Sequence, residues 1–375
     1  MPDIMTTAHN LRAAFASRAD DADSAGRMPA EDAAAIAETG YLRSVVPAAY
    51  GGEGLPMADC IAAHLELAKG SASTAIVAGM TVQLVGNERE QQTLGERGLA
   101  ALCRAVVAGG LVNSAASEPD LGSPSRGAFY ATTATPTEGG GWCINGHKLW
   151  VTGGRHLAAV LLKCSIGEEQ ATFFLPTDAD GVRWEATWGD GLSLRASDSD
   201  DLHLEDVRLP AESLLRRGKA KGTGPNAWFP MVVASVYLGA ALAARDALLR
   251  YALERVPTAL GEPIATLPKL QRQIGEMDMR LQAARTLLLA AADAWDPAQR
   301  EACYPRIAAA KEFATRTAPE VAQMAVRAAG GSAIGKGLPL ERHFRDAQAG
   351  SMHPPAGDTA LEIVGRAAVA TFEAD

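Results

Sequence analysis

Residues 114–127, SAASEPDLGSPSRG, and residues 140–154, GGWCINGHKLWVTGG, decide how this chain is read. The first segment follows an apolar run with a Ser-Glu-Pro turn and a Gly-Ser pair. The second ends on Trp150-Val151-Thr152, at the close of a strand pattern. A loop of the first kind offers backbone N–H groups and small hydroxyls to an anionic group or to the polar edge of a ring. Either segment alone is a weak signal. Together, in this order and between two helical regions, they are a strong one.

The flanking sequence supplies that frame. From about residue 6 to 112 the pattern is helical, with breaks at Gly40, Gly51-Gly52 and Gly86, and helices are expected near 6–19, 29–38, 57–69, 71–85 and 98–108. Pro29 suits a first helical turn, where no amide partner is needed, and Gly40 suits a helix end with positive φ. From residue 114 to about 215 the period falls to two, with strands expected at 129–133, 142–145, 148–152, 158–164, 171–175 and 201–204. Asn145-Gly146 reads as a hairpin turn, and residues 201–210, DLHLEDVRLP, as the exit strand of this section. Long helices return near 230–254, 267–294, 305–328 and 359–371, and Leu270, Ile274, Met277, Leu281, Ala284 and Leu288 lay an apolar seam along one of them. The expected fold class is α+β in three parts: an N-terminal helical domain (1–112), a middle β-barrel domain (113–217) and a C-terminal four-helix bundle (218–375).

Composition narrows the function classes. A chain of 375 residues buries a core without disulfides or metals, and a net charge of −9 with no run of Lys or Arg gives no footprint for nucleic acid or an anionic membrane. The N-terminus lacks an apolar leader, so the expected location is cytoplasmic. Five scattered cysteines without CxxC spacing read as reduced thiols. No metal is expected, because His64, His147, His156 and His343 stand without carboxylates or cysteines at ligand spacing, and His203 reads as a surface strand residue. The glycines of 330–337, GGSAIGKG, lack a P-loop ending.

The quoted segments, with residues 40–54 (GYLRSVVPAAYGGEG) and 326–347 (VRAAGGSAIGKGLPLERHFRDA), resemble the acyl-CoA dehydrogenase family over nearly the whole chain. The resemblance implies FAD as cofactor, an acyl-CoA or similar small-molecule substrate, reoxidation by an electron-transfer flavoprotein, and a homodimer or homotetramer whose sites are completed across an interface. Carried over by position, Ser114, Ala116 and Ser117 fall on the pyrimidine side of the flavin, and Gly122 and Ser123 at the pyrophosphate and the substrate mouth. Trp150, Val151 and Thr152 fall at the reactive ring, with Trp150 covering one face and Thr152 donating towards N5. Arg255, Gly330 and Gly331 fall where a neighbouring subunit's FAD is gripped. Read without the resemblance, the Trp150 segment is hairpin and core, and the seam is bundle core.

Two departures bear on the reaction. Where the family carries a glutamate as base, just after its Arg-Asp-Ala in a Tyr-Glu-Gly-Thr pattern, this chain has Pro354, and the alternative station around Phe229-Pro230-Met231 has no carboxylate. Arg255 is followed by VPTALGEP in place of a prompt Phe-Gly. His353 is the nearest substitute base, and Asp358, read as a helix N-cap, is the second. Three readings stay open: α,β-desaturation of an acyl thioester with hydride passing to flavin N5, a flavin-dependent monooxygenase fed by a flavin reductase, and a non-catalytic flavin- or acyl-CoA-binding partner subunit.

Overall fold

The computed structural model describes residues 3–120, 129–218 and 224–374. The first section is helical: α1 (Ile4–Ala16), α2 (Ala19–Ala25), α3 (Ala30–Thr39), α4 (Met57–Ala68), α5 (Ala72–Gln91) and α6 (Gly95–Val107). Asp3 caps α1 by accepting from the Met5 and Thr6 amides, and Ser71 caps α5 by accepting from Thr74. Helix α5 runs past Gly86, where a break was expected. A Cβ at Gly86 would lie 2.2 Å from the Trp228 ring, so this glycine makes a groove for a neighbouring helix and does not end its own.

Among the described residues the middle section is one eight-stranded sheet: β1 (Leu111–Ala115), β2 (Thr133–Pro136), β3 (Trp142–Val151), β4 (Leu157–Ile166), β5 (Glu169–Pro176), β6 (Val182–Glu185), β7 (Asp200–Leu209) and β8 (Leu214–Arg217). The strand order is β6-β7-β3-β2-β4-β5-β8, with β1 lying parallel to β4. The strand expected at 129–133 is not formed, since β2 begins only at Thr133, and two further expectations fail. Asn145-Gly146 is not a turn but the middle of β3, where the pairing with β7 slips by one residue. The Asn145 amide bonds Asp206 on β7, and Gly146 leaves room for Thr132, so tertiary contacts override the local turn signal. Residues 201–210 do form a strand, but β8 follows it and pairs with β5 before the section ends.

The last section holds α7 (Trp228–Glu254), α8 (Pro268–Asp293), α9 (Arg300–Ala329), the short α10 (Leu340–Asp346) and α11 (Gly357–Ala374). Helix α7 is apolar on all sides and long enough to cross a membrane by length and composition, yet it lies buried against α4, α5, α8 and α9. That burial is what an all-round apolar helix requires in a large core. The expected seam on α8 is the bundle core: Leu270, Met277, Leu281, Ala284 and Leu288 are buried and Ile274 is half-buried. Asp358 is not the N-cap of α11 but lies in its first turn, because the Ala360 amide already bonds the Ala356 carbonyl. Arg342 and Arg345 pair with Asp20 and Asp23 on α2, and Asp346 accepts from the Leu194 amide, so this end of the bundle is tied to both other sections.

Candidate active site

Residues 114–117 and residues 149–152 lie side by side. The Leu149 amide donates to the Ser117 carbonyl and the Asn113 side chain to the Thr152 carbonyl, so the end of β1 and the end of β3 are stitched together. Ser114, Ala116, Ser117, Trp150, Val151 and Thr152 therefore share one corner of the sheet. Behind them, Thr81 of α5 exchanges hydrogen bonds with Val112, which fixes β1 against the helical section. Thr152 and Ser199 share a hydroxyl hydrogen bond of 2.9 Å, and Ser199 continues to Ser197 at 2.8 Å.

Trp150 is the unusual member. Its φ is +56°, a left-handed conformation that a bulky residue adopts only at a cost of about 1–3 kcal/mol. Its side chain is 62% exposed while Val151 beside it is buried. The strain turns an indole outward where burial would have rewarded turning it in.

The loop after β1 is held by a group that the sequence reading passed over. Glu118 accepts from the Ala131 amide at 2.7 Å, from the Thr132 amide at 2.9 Å and from the Lys148 ammonium at 2.6 Å. Lys148 is fully buried and also lies over the Tyr130 ring. Burial works against the Glu118 carboxylate, but the bonds from Lys148 and Thr132 outweigh it and hold its pKa below the ordinary value. A charged residue at an inward-facing strand position, as Lys148 is on β3, was the available signal. Gly122 and Ser123 lie outside the described residues.

His353 sits beside α7. Its Nε2 is 3.0 Å from the Tyr237 hydroxyl, and its ring packs edge-on against Phe229. Burial and the nearby Lys311 ammonium lower its pKa to about 4, so the imidazole is neutral at pH 7. Burial raises the Tyr237 pKa far above its ordinary value, so the phenol keeps its proton and has His353 as its hydrogen-bond partner. Lys311 in turn donates to the Pro355 carbonyl and fixes the chain just past His353. Tyr237 and Phe229 left no signal in the sequence, since helix α7 reads as uniform core.

Arg255, Gly330 and Gly331 are not part of this corner within one chain. They lie by the C-terminal end of α7, where Tyr251 bonds Ser332; Arg255 is 18 positions, roughly 27 Å, along the chain from Tyr237. The expectation that His147 stands without a carboxylate also fails. Cross-strand pairing brings Asp201 to 2.7 Å from it and stacks it on His203.

Three histidines with lowered pKa values set a pH dependence of stability. His353 and His64 are lowered to about 4, and His343 lies well below its ordinary value, each chiefly by burial. Below about pH 6.5 the unfolded chain takes up protons that the folded chain refuses, so stability is lost as pH falls towards 4, by about 1.4 kcal/mol per pH unit for each such histidine. Asp346, raised to about 6 by burial, works the other way between pH 6 and 4, as do Asp32 and Asp200, which burial also raises, and these offset part of the histidine effect. The urea midpoint should fall clearly between pH 7.5 and 5.0; an unchanged or higher midpoint at pH 5.0 would refute this.

Compared with known proteins, residues 5–106, 113–207 and 231–356 match, in turn, the family profiles described as acyl-CoA dehydrogenase N-terminal, middle and C-terminal domains. The YdbM protein of Bacillus subtilis (strain 168) is 33% identical over 363 residues, 96% of this chain and 94% of YdbM. Butyryl-CoA dehydrogenase from Megasphaera elsdenii shares the fold with a TM-score of 0.82 at 24% identity, over 98% of this chain and 99% of that one. Dibenzothiophene monooxygenase (TdsC) from Paenibacillus sp. A11-2 does so with a TM-score of 0.82 at 23% identity, over 96% of each chain.

Proposed function

The chain belongs to the acyl-CoA dehydrogenase family, and from that premise we propose that it is an FAD-dependent oxidoreductase that desaturates an acyl thioester between Cα and Cβ. The observation that carries this reading is the outward, strained Trp150 beside Thr152 and the end of β1. An exposed indole is a ready platform for a flat heteroaromatic ring, and the Thr152 hydroxyl and the Ser114–Ser117 segment supply polar groups along one edge. These residues fit a flavin. When bound, FAD supplies the hydride acceptor.

The chain's own task is then to place the substrate and take its α-proton. His353 replaces the family's carboxylate in that role: it is neutral at pH 7, fixed by Tyr237 and packed on Phe229 at the start of α7. Its basicity is weakened by the same burial, so the thioester carbonyl must be polarised for the proton to leave. Arg255, Gly330 and Gly331, at the C-terminal end of α7, serve the FAD of a second copy. Exposed apolar side chains on α8, α9 and α11, among them Met279, Phe313 and Leu361, support such an assembly.

A second reading has one observation in its favour. Among the described residues the only side chain hydrogen-bonded to His353 is Tyr237, a neutral pair with no carboxylate, which suits a monooxygenase using reduced flavin and O2 as well as a dehydrogenase. Both readings need the flavin corner. Trp150→Gly tests it: glycine accepts φ +56° without strain, and little packing is lost from so exposed a side chain. The variant should melt slightly higher than wild type without flavin and bind FAD at least about tenfold more weakly, since an aromatic stack is worth about 0.5–1.5 kcal/mol beyond the area it buries. Unchanged FAD affinity would reduce Trp150 to an ordinary strand-end residue.

A further inference from the structure

Away from the flavin corner, the outer face of β3, β7 and β6 gathers ligand-type side chains that the proposed reaction does not use. His147 on β3 is the direct cross-strand partner of His203 on β7. Asp201 lies two residues before His203 and so shares its face, and its own partner across the next pair is Glu185 on β6. The residues that alternate with them along the strands, Lys148, Leu202 and Leu204, point inward and are buried.

The geometry is close. The two imidazoles stack with centroids 4.1 Å apart and planes 16° from parallel. His147 Nε2 is 2.7 Å from Asp201 Oδ2, and His203 Nε2 is 2.9 Å from Glu185 Oε2. One ligand atom from each of His147, Asp201 and His203 lies within 4.8 Å of the others, the only such triad among the described residues. Ligand atoms around a tetrahedral zinc ion lie roughly 3.4 Å apart, so small rotamer changes close the set. The second Asp201 oxygen accepts from the Thr187 hydroxyl at 2.9 Å, an outer contact that orients the carboxylate as metal sites require.

We propose that His147, Asp201 and His203 form a binding site for a single divalent transition metal of the Zn2+ type, with Glu185 as fourth ligand. Two imidazoles with carboxylates are borderline donors that favour Zn2+, Co2+ or Cu2+ over Ca2+ and Mg2+. Glu185 also lies 3.6 Å from the half-exposed Arg183, which competes for it, so the triad is the core of the site. A bound ion would clip β6 to β7 and β7 to β3, close to the slip in register before Val151 that ends at Trp150.

The test uses the full chain with its flavin, freed of any purification tag and dialysed against chelator, then titrated calorimetrically with Zn2+ and optically with Co2+. The expected result is saturable uptake of one ion and a higher melting temperature with Zn2+ than without. In His203→Ala and, separately, His147→Gln, affinity should fall by about 100-fold or more, a larger loss than outer-sphere changes produce, while Cys143→Ser, which alters the half-buried thiol four residues before His147 on β3, should bind as wild type does. Absence of saturable uptake by the wild type, uptake undiminished in the histidine variants, or uptake lost with Cys143→Ser would overturn the proposal. The wild-type titration decides even if one histidine variant fails to fold.

Discussion

Replacing His353 with alanine is expected to lower turnover by about 10²–10⁴-fold while FAD stays bound, the usual contribution of a positioned proton-transfer group. The expectation rests on placement. His353 stands one residue before Pro354, packs on Phe229 at the first turn of α7 and is fixed by the Tyr237 hydroxyl. It does not rest on basicity. Burial and Lys311 hold the imidazole near a pKa of about 4, so the acid limb of kcat/KM should lie near pH 4 to 5, well below that of an ordinary histidine. Tyr237→Phe removes the bond to Nε2 and should move that limb while leaving FAD affinity unchanged. An unchanged rate in His353→Ala would remove the residue from the mechanism. An acid limb near pH 6.5 would mean that some other group titrates.

The second large effect is expected at Lys148. Its ammonium and the Glu118 carboxylate are both buried, and removing one partner of such a pair leaves an uncompensated charge at a cost of about 3–5 kcal/mol. Lys148→Met keeps most of the side-chain volume and should lower thermal stability sharply. It should also weaken FAD binding, because Glu118 ties the loop after β1 to Ala131 and Thr132. Adding Glu118→Gln to Lys148→Met removes the stranded charge, and the double variant should recover much of the stability. If the double variant is no more stable than Lys148→Met, shape and not charge governs this site.

The sequence carried the three-part order, the bundle seam on α8 and the pairing of the two quoted segments, because each is written in local periodicity or in turn chemistry. It misled where a local rule met a tertiary one. Asn145-Gly146 is a strong turn dipeptide, yet Asn145 is spent on Asp206 and the strand continues. Gly86 looks like a break but is a groove for Trp228. Glu118 and Lys148 each lie inside one of the quoted segments, but they are thirty positions apart and only the fold brings the two together. The same register stacks His147 on His203, a pairing that no spacing along the chain announces. Tyr237 was hidden because a helix buried on all sides shows no face for function to stand out against.

The central claim, an FAD enzyme that takes hydrogen from an acyl thioester, is tested most directly without oxygen. The purified chain is loaded with FAD, and the flavin absorbance is followed as a panel of acyl-CoAs is added. Bleaching of the oxidised band by at least one of them, abolished in His353→Ala, is the predicted result. Retained flavin that no acyl-CoA bleaches would contradict it and put the monooxygenase reading first.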